Sequence, residues 1–408
     1  MIIIVTILWI GILILTGYAC FPAISILATA LCKRKMPPVI KDEISFACII
    51  TAYKDVEIAL PQVESILKQN YSNYHIYLVG DNCVCPEYLP ENQALSIFFP
   101  EPALNAKVLS IKYAIDNFVK EPDAILILDA DNLLHSDALS YLNRYHAYGY
   151  TAVQGQRTAK NLDTSVAALD ALGELYYNVI QRTTPFLLGS SATIAGSGMS
   201  VKTPFFRAYI DRMFKEGKQF EIAEDKLLQM MLVQSSQRIA YCREALIFDE
   251  KVTLGSQVQR QRTRWIRSWF QHWSTAVKLA GNGIIHFNWN VFYFGLMLSF
   301  PPMFLLVAGL CAFAIAGFLF SPVLAIIGGA GLLVFTLQFF AALIVSPAPA
   351  AIWKSIPKIP VFVWRQVLAV LKIQASKKDF MATEHSQSVG IDEVWQKRKN
   401  DFPYLKNS

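Results

Sequence analysis

The sequence predicts an α/β domain with a mostly parallel sheet, flanked by helices that cross a membrane. Short β-rich runs alternate with helical patterns, which is typical of strand–helix–strand units. The strand-like runs 47–50 and 125–128 are almost continuously apolar, as expected for strands that helices cover on both faces. The membrane helices follow from two long blocks that contain no charged residue.

The composition excludes a disordered chain and a single small domain. Of the 408 residues, 54% are hydrophobic and 17% are charged, whereas soluble domains carry about 25% charged residues. The net charge of +6 is a modest excess that fits an anionic partner, such as a lipid surface or a phosphate. We therefore expect a membrane-associated protein.

The first apolar block runs from Ile2 to Cys32 and is followed at once by Lys33-Arg34-Lys35. A helix needs about 20 apolar residues to cross a bilayer, so this block is long enough. A signal peptide fits poorly, because the segment lacks a basic start and exceeds the usual apolar run of about 7–15 residues.

The second block, 279–353, predicts two spans near Val291–Phe320 and Val323–Val345. Pro301-Pro302 falls inside the first span, where a kink is expected; three shorter helices are the alternative. The run Ile359–Leu371 contains Arg365 and predicts an interfacial helix.

Basic residues flank both blocks, which places the middle of the chain and its tail in the cytoplasm. Both ends of the second block then lie on one side, so this block must cross an even number of times. The expected protein is a multi-pass protein of the cell (inner) membrane. Its expected parts are a membrane helix at 1–32, the α/β domain at 33–280, membrane helices at 281–350, and an interfacial helix with a tail at 351–408.

Polar and acidic residues follow the first strands, at the sheet edge where ligands bind in such folds. The runs are Thr51-Ala52-Tyr53-Lys54-Asp55, Gly80-Asp81-Asn82 and Asp129-Ala130-Asp131-Asn132. One Asp at a strand end is common for turn reasons, but three in register indicate a site. Asp129 and Asp131 are the most specific pair, because they offer hard oxygen ligands for Mg²⁺ or Mn²⁺ beside a diphosphate.

Two later segments allow two interpretations each. Glu224 and Asp225 begin a helical pattern, where they either interact with the helix dipole or supply a general base. In Gln257–Trp273, tryptophans recur every fourth residue among arginines, which is typical of an interfacial helix. The same helix can bind a phosphate through Arg264 and stack Trp265 on a sugar.

Together these residues resemble the membrane-anchored family 2 glycosyltransferases, the group of cellulose, hyaluronan and ceramide-glucoside synthases. Such enzymes carry the ordered series D…DxD…(E/T)D…QxxRW, which is matched between about Ser45 and Trp273. The matching residues are Asp81, Asp129-Ala130-Asp131, Glu224-Asp225 and Gln261-Arg262-Thr263-Arg264-Trp265.

The resemblance implies a GT-A fold and an inverting transfer of a sugar from a nucleotide sugar, expected to be UDP-linked, to a polysaccharide or lipid. The implied partners are this donor, a glycan or lipid acceptor and membrane lipids, but no nucleic acid. The implied residue roles are nucleotide-sugar binding by Asp55, Asp81, Lys107 and Asp129; Mg²⁺ or Mn²⁺ binding by Asp131; acceptor deprotonation by Asp225; and diphosphate or acceptor binding by Glu224, Gln261, Arg264 and Trp265.

The sequence departs from the family at two places that concern the nucleotide. The usual P-x-Y-N-E has Lys54 for Asn and Asp55 for Glu, and Gly80 replaces a customary acid. A membrane-tethered nucleotide-sugar sensor or scaffold without turnover is therefore the alternative function, although every acid of the catalytic series is retained. A transporter fits less well, because the spans contain no charged residue.

Overall fold

A computed structural model describes residues 2–32, 36–39, 42–217, 224–253, 255–371 and 389–407 of the chain. The basic residues at 33–35, 372, 377 and 378, which contribute to the predicted topology, lie outside these ranges.

The chain divides into two compact units. We call residues 35–163, 191–251 and 379–408 the sheet unit, and residues 1–34, 164–190 and 252–378 the helical unit. In this grouping, residues 164–190 belong with the long apolar helices, and residues 379–408 belong with the sheet.

A single sheet of eight strands forms within the described part of the sheet unit. The strands are β1 (Phe46–Tyr53), β2 (Tyr74–Asp81), β3 (Leu95–Phe98), β4 (Ala124–Asp129), β5 (Leu133–Leu134), β6 (Ala152–Ala159), β7 (Met199–Lys202) and β8 (Ile239–Asp249). Their order is β3-β2-β1-β4-β7-β6-β8-β5. Strands β1 to β4 are mutually parallel and β6 is parallel to β8, whereas β5 and β7 run antiparallel to their neighbours. The predicted α/β class with a mostly parallel sheet is confirmed.

The described α-helices alternate with the strands and then continue into the apolar C-terminal half. They are α1 (Ile2–Ala30), α2 (Leu60–Leu67), α3 (Lys107–Asp116), α4 (Ala138–Ala147), α5 (Ser165–Tyr177), α6 (Thr184–Leu187), α7 (Thr203–Lys215), α8 (Glu224–Gln234), α9 (Gly255–Ile285), α10 (Trp289–Ser299), α11 (Met303–Phe320), α12 (Pro322–Val345), α13 (Ala350–Ser355), α14 (Ile359–Leu371) and α15 (Ile391–Arg398).

Strands β1 and β4 form the centre of the sheet-unit core. The runs 46–50 and 124–128 expose at most 1% of any residue. Successive side chains of a strand point to opposite faces, so burial of consecutive residues requires a cover on both faces. Helices α3 and α7 contact this part of the sheet.

The helical unit contains the long apolar helices. Among the described residues, three stretches are long and apolar enough to cross a membrane: Val5–Ala30, Met303–Phe320 and Pro322–Val345. Hydroxyl pairs join α1 to α10, with the Tyr18 hydroxyl 2.8 Å from Ser299 Oγ and the Tyr293 hydroxyl donating to Ser25 Oγ at 2.9 Å.

The predicted kink at Pro301-Pro302 is wrong. Helix α10 ends at Ser299 and α11 begins at Met303, so the two are separate helices. The pair removes two backbone donors, and Phe300 and Pro302 both adopt extended ψ angles, 123° and 135°. The alternative of three shorter helices in this block describes the structure better.

Helices form at both predicted amphipathic segments. Residues Gln257–Trp273 lie within α9, where Trp265 and Trp273 remain 46% and 42% exposed. Helix α14 has the predicted bounds Ile359–Leu371 and contacts α9 inside the helical unit. The interfacial position of α14 stays a prediction.

The C-terminal residues 389–407 pack against the edge of the sheet formed by β5 and β8. The buried members of this apolar cluster are Leu133, Leu246, Phe248, Ile391, Val394 and Phe402. Arg398 donates to the carbonyl of Ala159 at the end of β6. The chain therefore returns to the sheet after the helices of the other unit.

We predict that Val394→Ala loosens this docked segment. Val394 is 2% exposed, and loss of its two methyl groups should cost about 1–3 kcal/mol. Hydrogen exchange in α15 and β5 should accelerate accordingly. The matched control is Val119→Ala, since Val119 is 70% exposed in the same unit and its exchange pattern should stay as in the wild type. Equal effects of both substitutions would contradict the docking.

Candidate active site

Parallel pairing brings the polar ends of β1, β2 and β4 to one edge of the sheet. In the register, Asp81 lies beside Tyr53 and Asp129 lies beside Thr51. Lys54 adopts a φ of 69°, which turns the chain sharply after β1. The sequence prediction that these ends lie side by side agrees with the register.

Asp81 is buried, with 2% exposed, and holds two backbone segments. Its Oδ1 accepts from the N–H of Leu104 at 2.7 Å, and its carbonyl accepts from the N–H of Lys54 at 3.1 Å. The segment held through Leu104 leads directly into α3. Asp81 therefore fixes the approach to Lys107, the first residue of that helix.

The Phe99 ring lies beside position 80, where the sequence has glycine and the resembled family carries an acid. A β-carbon at Gly80 would lie 2.9 Å from Cε1 of the Phe99 ring. A side chain at position 80 would require the Phe99 ring to move, so the end of β2 differs here from the family pattern.

Lys107 joins three elements at the site. Its Nζ lies 2.6 Å from Asp129 Oδ1 and 3.8 Å from Glu224 Oε1, and it donates to the carbonyl of Gly196 at 3.0 Å. Burial alone would lower the pKa of the Lys107 ammonium, but Asp129 and Glu224 outweigh burial and raise it. The lysine therefore stays charged among these acids.

Asp129 shows the matching effect from the acidic side. Burial would raise the pKa of its carboxyl, but Lys107 and Arg157 together lower it. The side chain keeps 37% of its surface exposed. Asp129 is thus an ionised carboxylate that faces both a cation and the open edge of the sheet.

Asp131 lies in the turn after β4 and is 9% exposed. Its Oδ1 accepts from Asn132 Nδ2 and its Oδ2 from the N–H of Glu250, both at 3.2 Å. No group of three or more His, Cys, Asp or Glu is arranged to hold a metal ion within the described ranges. A divalent cation can be held by one or two carboxylates when substrate phosphates complete its ligands, and Asp129 with Asp131 fits that donor set.

Glu224 and Asp225 begin α8, as the helix-dipole interpretation requires. That interpretation does not account for the contact of Glu224 with Lys107 at 3.8 Å. Burial raises the pKa of the Glu224 carboxyl; Lys107 opposes this effect and Asp225 adds to it. The two acids therefore belong to the same charged cluster as Asp129.

Asp225 faces the glycine-rich loop of 189–198. A β-carbon at Gly196 would lie 3.6 Å from Asp225 Oδ2, and Gly196 has a φ of +79°. Only glycine adopts this backbone conformation without strain while leaving the carboxylate accessible. The backbone of the loop at Gly196 therefore lies close to the Asp225 carboxylate.

Asp55 has a different setting. Its Oδ1 accepts from the N–H of Glu57 at 2.9 Å, and Glu57 is the first residue of the short helical turn before α2. Its assignment to nucleotide binding stays a prediction.

The predicted Gln261, Arg264 and Trp265 lie on α9 in the helical unit. The side chains of Gln261 and Arg264 are outside the described part of the chain. Arg262 lies 4.6 Å from the centre of the Trp265 ring, and its Nη2 lies 2.5 Å from Asp170 Oδ1 on α5. Arg262 of the segment Gln257–Trp273 is thus paired with an aspartate inside the helical unit.

Sequence reasoning missed the polar residues of β6 and β8. Gln154 is fully buried, and Arg157 pairs with Asp249, which also lies 2.9 Å from Lys251 Nζ. The available signal was weak: these are polar residues inside otherwise apolar strand segments.

The family described as "Glycosyltransferase like family 2" matches residues 44–268, more than half of the chain. No curated protein sequence matches. Among solved structures, the mannosyltransferase PcManGT from Pyrobaculum calidifontis, in complex with GDP-Man and Mn²⁺, is similar with a TM-score of 0.57 and 14% identity. The likeness covers 90% of this chain and 99% of that chain and shows a shared fold.

We predict that Lys107→Met destabilises the protein far more than Lys112→Met. Lys112 lies on the same helix, α3, and serves as the control. Lys107→Met leaves Asp129 and Glu224 without their ammonium partner, which should cost about 1–3 kcal/mol, since solvent screens the exposed part of Asp129. Lys112 pairs with Asp116 on the helix surface, a contact worth about 0.3–0.5 kcal/mol. Melting temperatures in detergent should show this order. Equal shifts would contradict the central place of Lys107.

Proposed function

Because the chain belongs to glycosyltransferase family 2, we propose that it moves a sugar from a nucleotide sugar, with a UDP-sugar expected, to a glycan or lipid acceptor at the cytoplasmic face of the cell membrane. The observation that carries the proposal is one cluster at the carboxyl edge of the sheet. In it, Lys107 contacts Asp129 and Glu224, and Asp225 faces Gly196. We call these residues the acid–lysine cluster.

The donor's diphosphate is the group that Lys107 is suited to bind. The ammonium stays charged and lies at the open edge of the sheet, where ligands of such folds bind. Asp129 holds the lysine in place and is available to the ribose or diphosphate. Asp81 supports this arrangement by fixing the segment before α3.

Asp131 and Asp129 would hold Mg²⁺ or Mn²⁺ together with the diphosphate oxygens. Their carboxylates are hard oxygen ligands, and PcManGT, which shares the fold, was solved with Mn²⁺. When bound, the cation would neutralise charge on the departing nucleoside diphosphate.

Asp225 is the proposed general base. It accepts the proton of the acceptor hydroxyl while the acceptor oxygen bonds to the anomeric carbon. The bond from that carbon to the diphosphate oxygen breaks, and its electron pair leaves with the nucleoside diphosphate. Attack from the face opposite the leaving group inverts the anomeric configuration. Glu224 keeps the lysine beside the base.

Gln261, Arg264 and Trp265 are proposed to bind the diphosphate and the acceptor end. Their order after the acidic pair follows the family series, and α9 places them on one continuous helix. An acceptor that is a growing polysaccharide or a lipid suits an enzyme with apolar helices, so a role in building cell-envelope glycans is proposed.

We predict that the purified protein transfers labelled sugar only from particular donors of a UDP- and GDP-sugar panel with Mn²⁺ present. A UDP-sugar is the expected donor; PcManGT was solved with GDP-Man, so GDP-sugars form the competing arm. Product length on a gel separates polymer synthesis from a single transfer. If the protein binds a donor but neither transfers its sugar nor hydrolyses it, the proposal is contradicted and the sensor or scaffold is supported instead.

We predict that Asp225→Asn lowers transfer by about 10²–10⁴-fold, because the amide cannot accept the proton of the attacking hydroxyl. Nucleotide binding, measured by calorimetry, should persist. The control is Asp211→Asn, an exposed aspartate on α7, which should transfer at the wild-type rate. Unchanged transfer by Asp225→Asn would show that another group is the base.

A further inference from the structure

Side chains on β6 and α8 of the sheet unit hold residues 194–198 of the glycine-rich loop by hydrogen bonds. The N–H of Ile194 donates to Gln229 Oε1 at 2.9 Å, and the N–H of Ala195 donates to Gln154 Oε1 at 3.0 Å. Gln154 Nε2 in turn donates to the carbonyl of Ser197 at 3.0 Å. We call these residues the 194–198 loop.

Gln229 connects this loop to the proposed base. It lies four residues after Asp225 on α8, so both residues lie on one face of the helix, about one turn apart. The same helix therefore carries the base and fixes the loop that faces it. A shift of the loop changes the space directly beside the carboxylate of Asp225.

Arg157 closes the network from β6. Its Nη1 donates to the carbonyl of Ala195 at 2.6 Å, and its Nη2 pairs with Asp249 at the end of β8. The Arg157 and Asp249 side chains are 16% and 6% exposed. A planar guanidinium holds two acceptors in fixed directions, which a lysine ammonium does not reproduce.

Two cations thus hold adjacent carbonyl groups of the loop. Arg157 binds the carbonyl of Ala195, and Lys107 binds the carbonyl of Gly196 at 3.0 Å. Lys107 also contacts Asp129, so its charge is shared with the donor site. Arg157 is bound both to Asp249 and to the loop, so it connects the loop rigidly to the end of β8.

We propose that Arg157 is a positioning residue for sugar transfer. Anchored by Asp249, it sets the 194–198 loop as the wall against which the transferred sugar places its anomeric carbon near Asp225. This inference rests on the proposed function. It assigns Arg157 a part in the transfer step and no part in nucleotide binding.

The test compares full-length Arg157→Gln and Arg157→Lys with the wild type. Asp249 retains Lys251 at 2.9 Å in both variants, so the carboxylate keeps a cation and folding should persist. The kcat of sugar transfer should fall about 10–100-fold in Arg157→Gln, because a misplacement of the reacting sugar by about 1 Å can lower the rate by about 100-fold. Arg157→Lys should recover part of it, because one donor still reaches the Ala195 carbonyl.

The binding constants of UDP and GDP, measured by calorimetry, should stay within about twofold of the wild type, since no nucleotide contact is assigned to Arg157. The matched control is Arg207→Gln. Arg207 binds Glu121 through two nitrogens at 2.9 and 2.7 Å on the surface, and its loss should leave kcat as in the wild type.

Asp249→Asn supplies a second test if Arg157→Gln fails to fold. It keeps the size of the side chain but removes the anchor of the guanidinium, so kcat should fall while nucleotide binding persists. If Arg157 instead bound the diphosphate, Arg157→Gln would weaken nucleotide binding, and the inference would be wrong. An unchanged kcat in folded Arg157→Gln would overturn it as well.

The two levels of failure are distinguishable. A wild-type protein without transfer from any donor of the panel would overturn the proposed function and this inference together. A wild-type protein that transfers sugar, with Arg157 variants at the same kcat, would overturn the role of Arg157 alone.

Discussion

The contact between Lys107 and Asp129 is the interaction on which the arrangement of the acids depends. Three carboxylates, those of Asp129, Glu224 and Asp225, converge on this lysine from β4 and α8. Like charges this close repel one another. Burial raises the pKa of Glu224 most, Asp225 adds to this effect, and Lys107 opposes it. The ammonium makes the cluster compatible with a folded sheet edge.

The same balance limits what the cluster can bind. A diphosphate adds negative charge where three carboxylates already face one ammonium, so binding requires more positive charge than Lys107 supplies. A divalent cation at Asp131 would provide it. Arg157, a further cation that lowers the pKa of Asp129, is already bound to Asp249 and to the Ala195 carbonyl. Lys107 and Arg157 both lower the pKa of Asp129, and Arg157 in addition binds the backbone of the loop.

The fold and the acidic residues at the strand ends could be predicted from local sequence signals, because an apolar run that ends in aspartate is recognisable without knowledge of long-range contacts. Asp81, Asp129 and Asp131 follow such strands. The anchoring residues could not be predicted in this way: Gln154, Arg157 and Asp249 act through contacts between β6, β8 and a loop about 40 residues downstream of Arg157. Pro301-Pro302 is a strong local signal, but such a pair does not itself specify whether a helix bends or ends. In the structure α10 ends at Ser299 and α11 begins at Met303.

The docked C-terminal segment constrains how the chain can cross a membrane. Residues 35–163 and 379–408 belong to one unit, so they lie on one side of any bilayer that the chain crosses between them. Crossings of a bilayer by the block between them would then be even in number. Helices α11 and α12 are long enough for this, whereas the 11 residues of α10 span about 16 Å of a core that is about 30 Å thick. The basic residues that flank the block predict the same even number of crossings on electrostatic grounds. Packing of Val394 and Phe402 against the sheet therefore agrees with the prediction from the charge pattern.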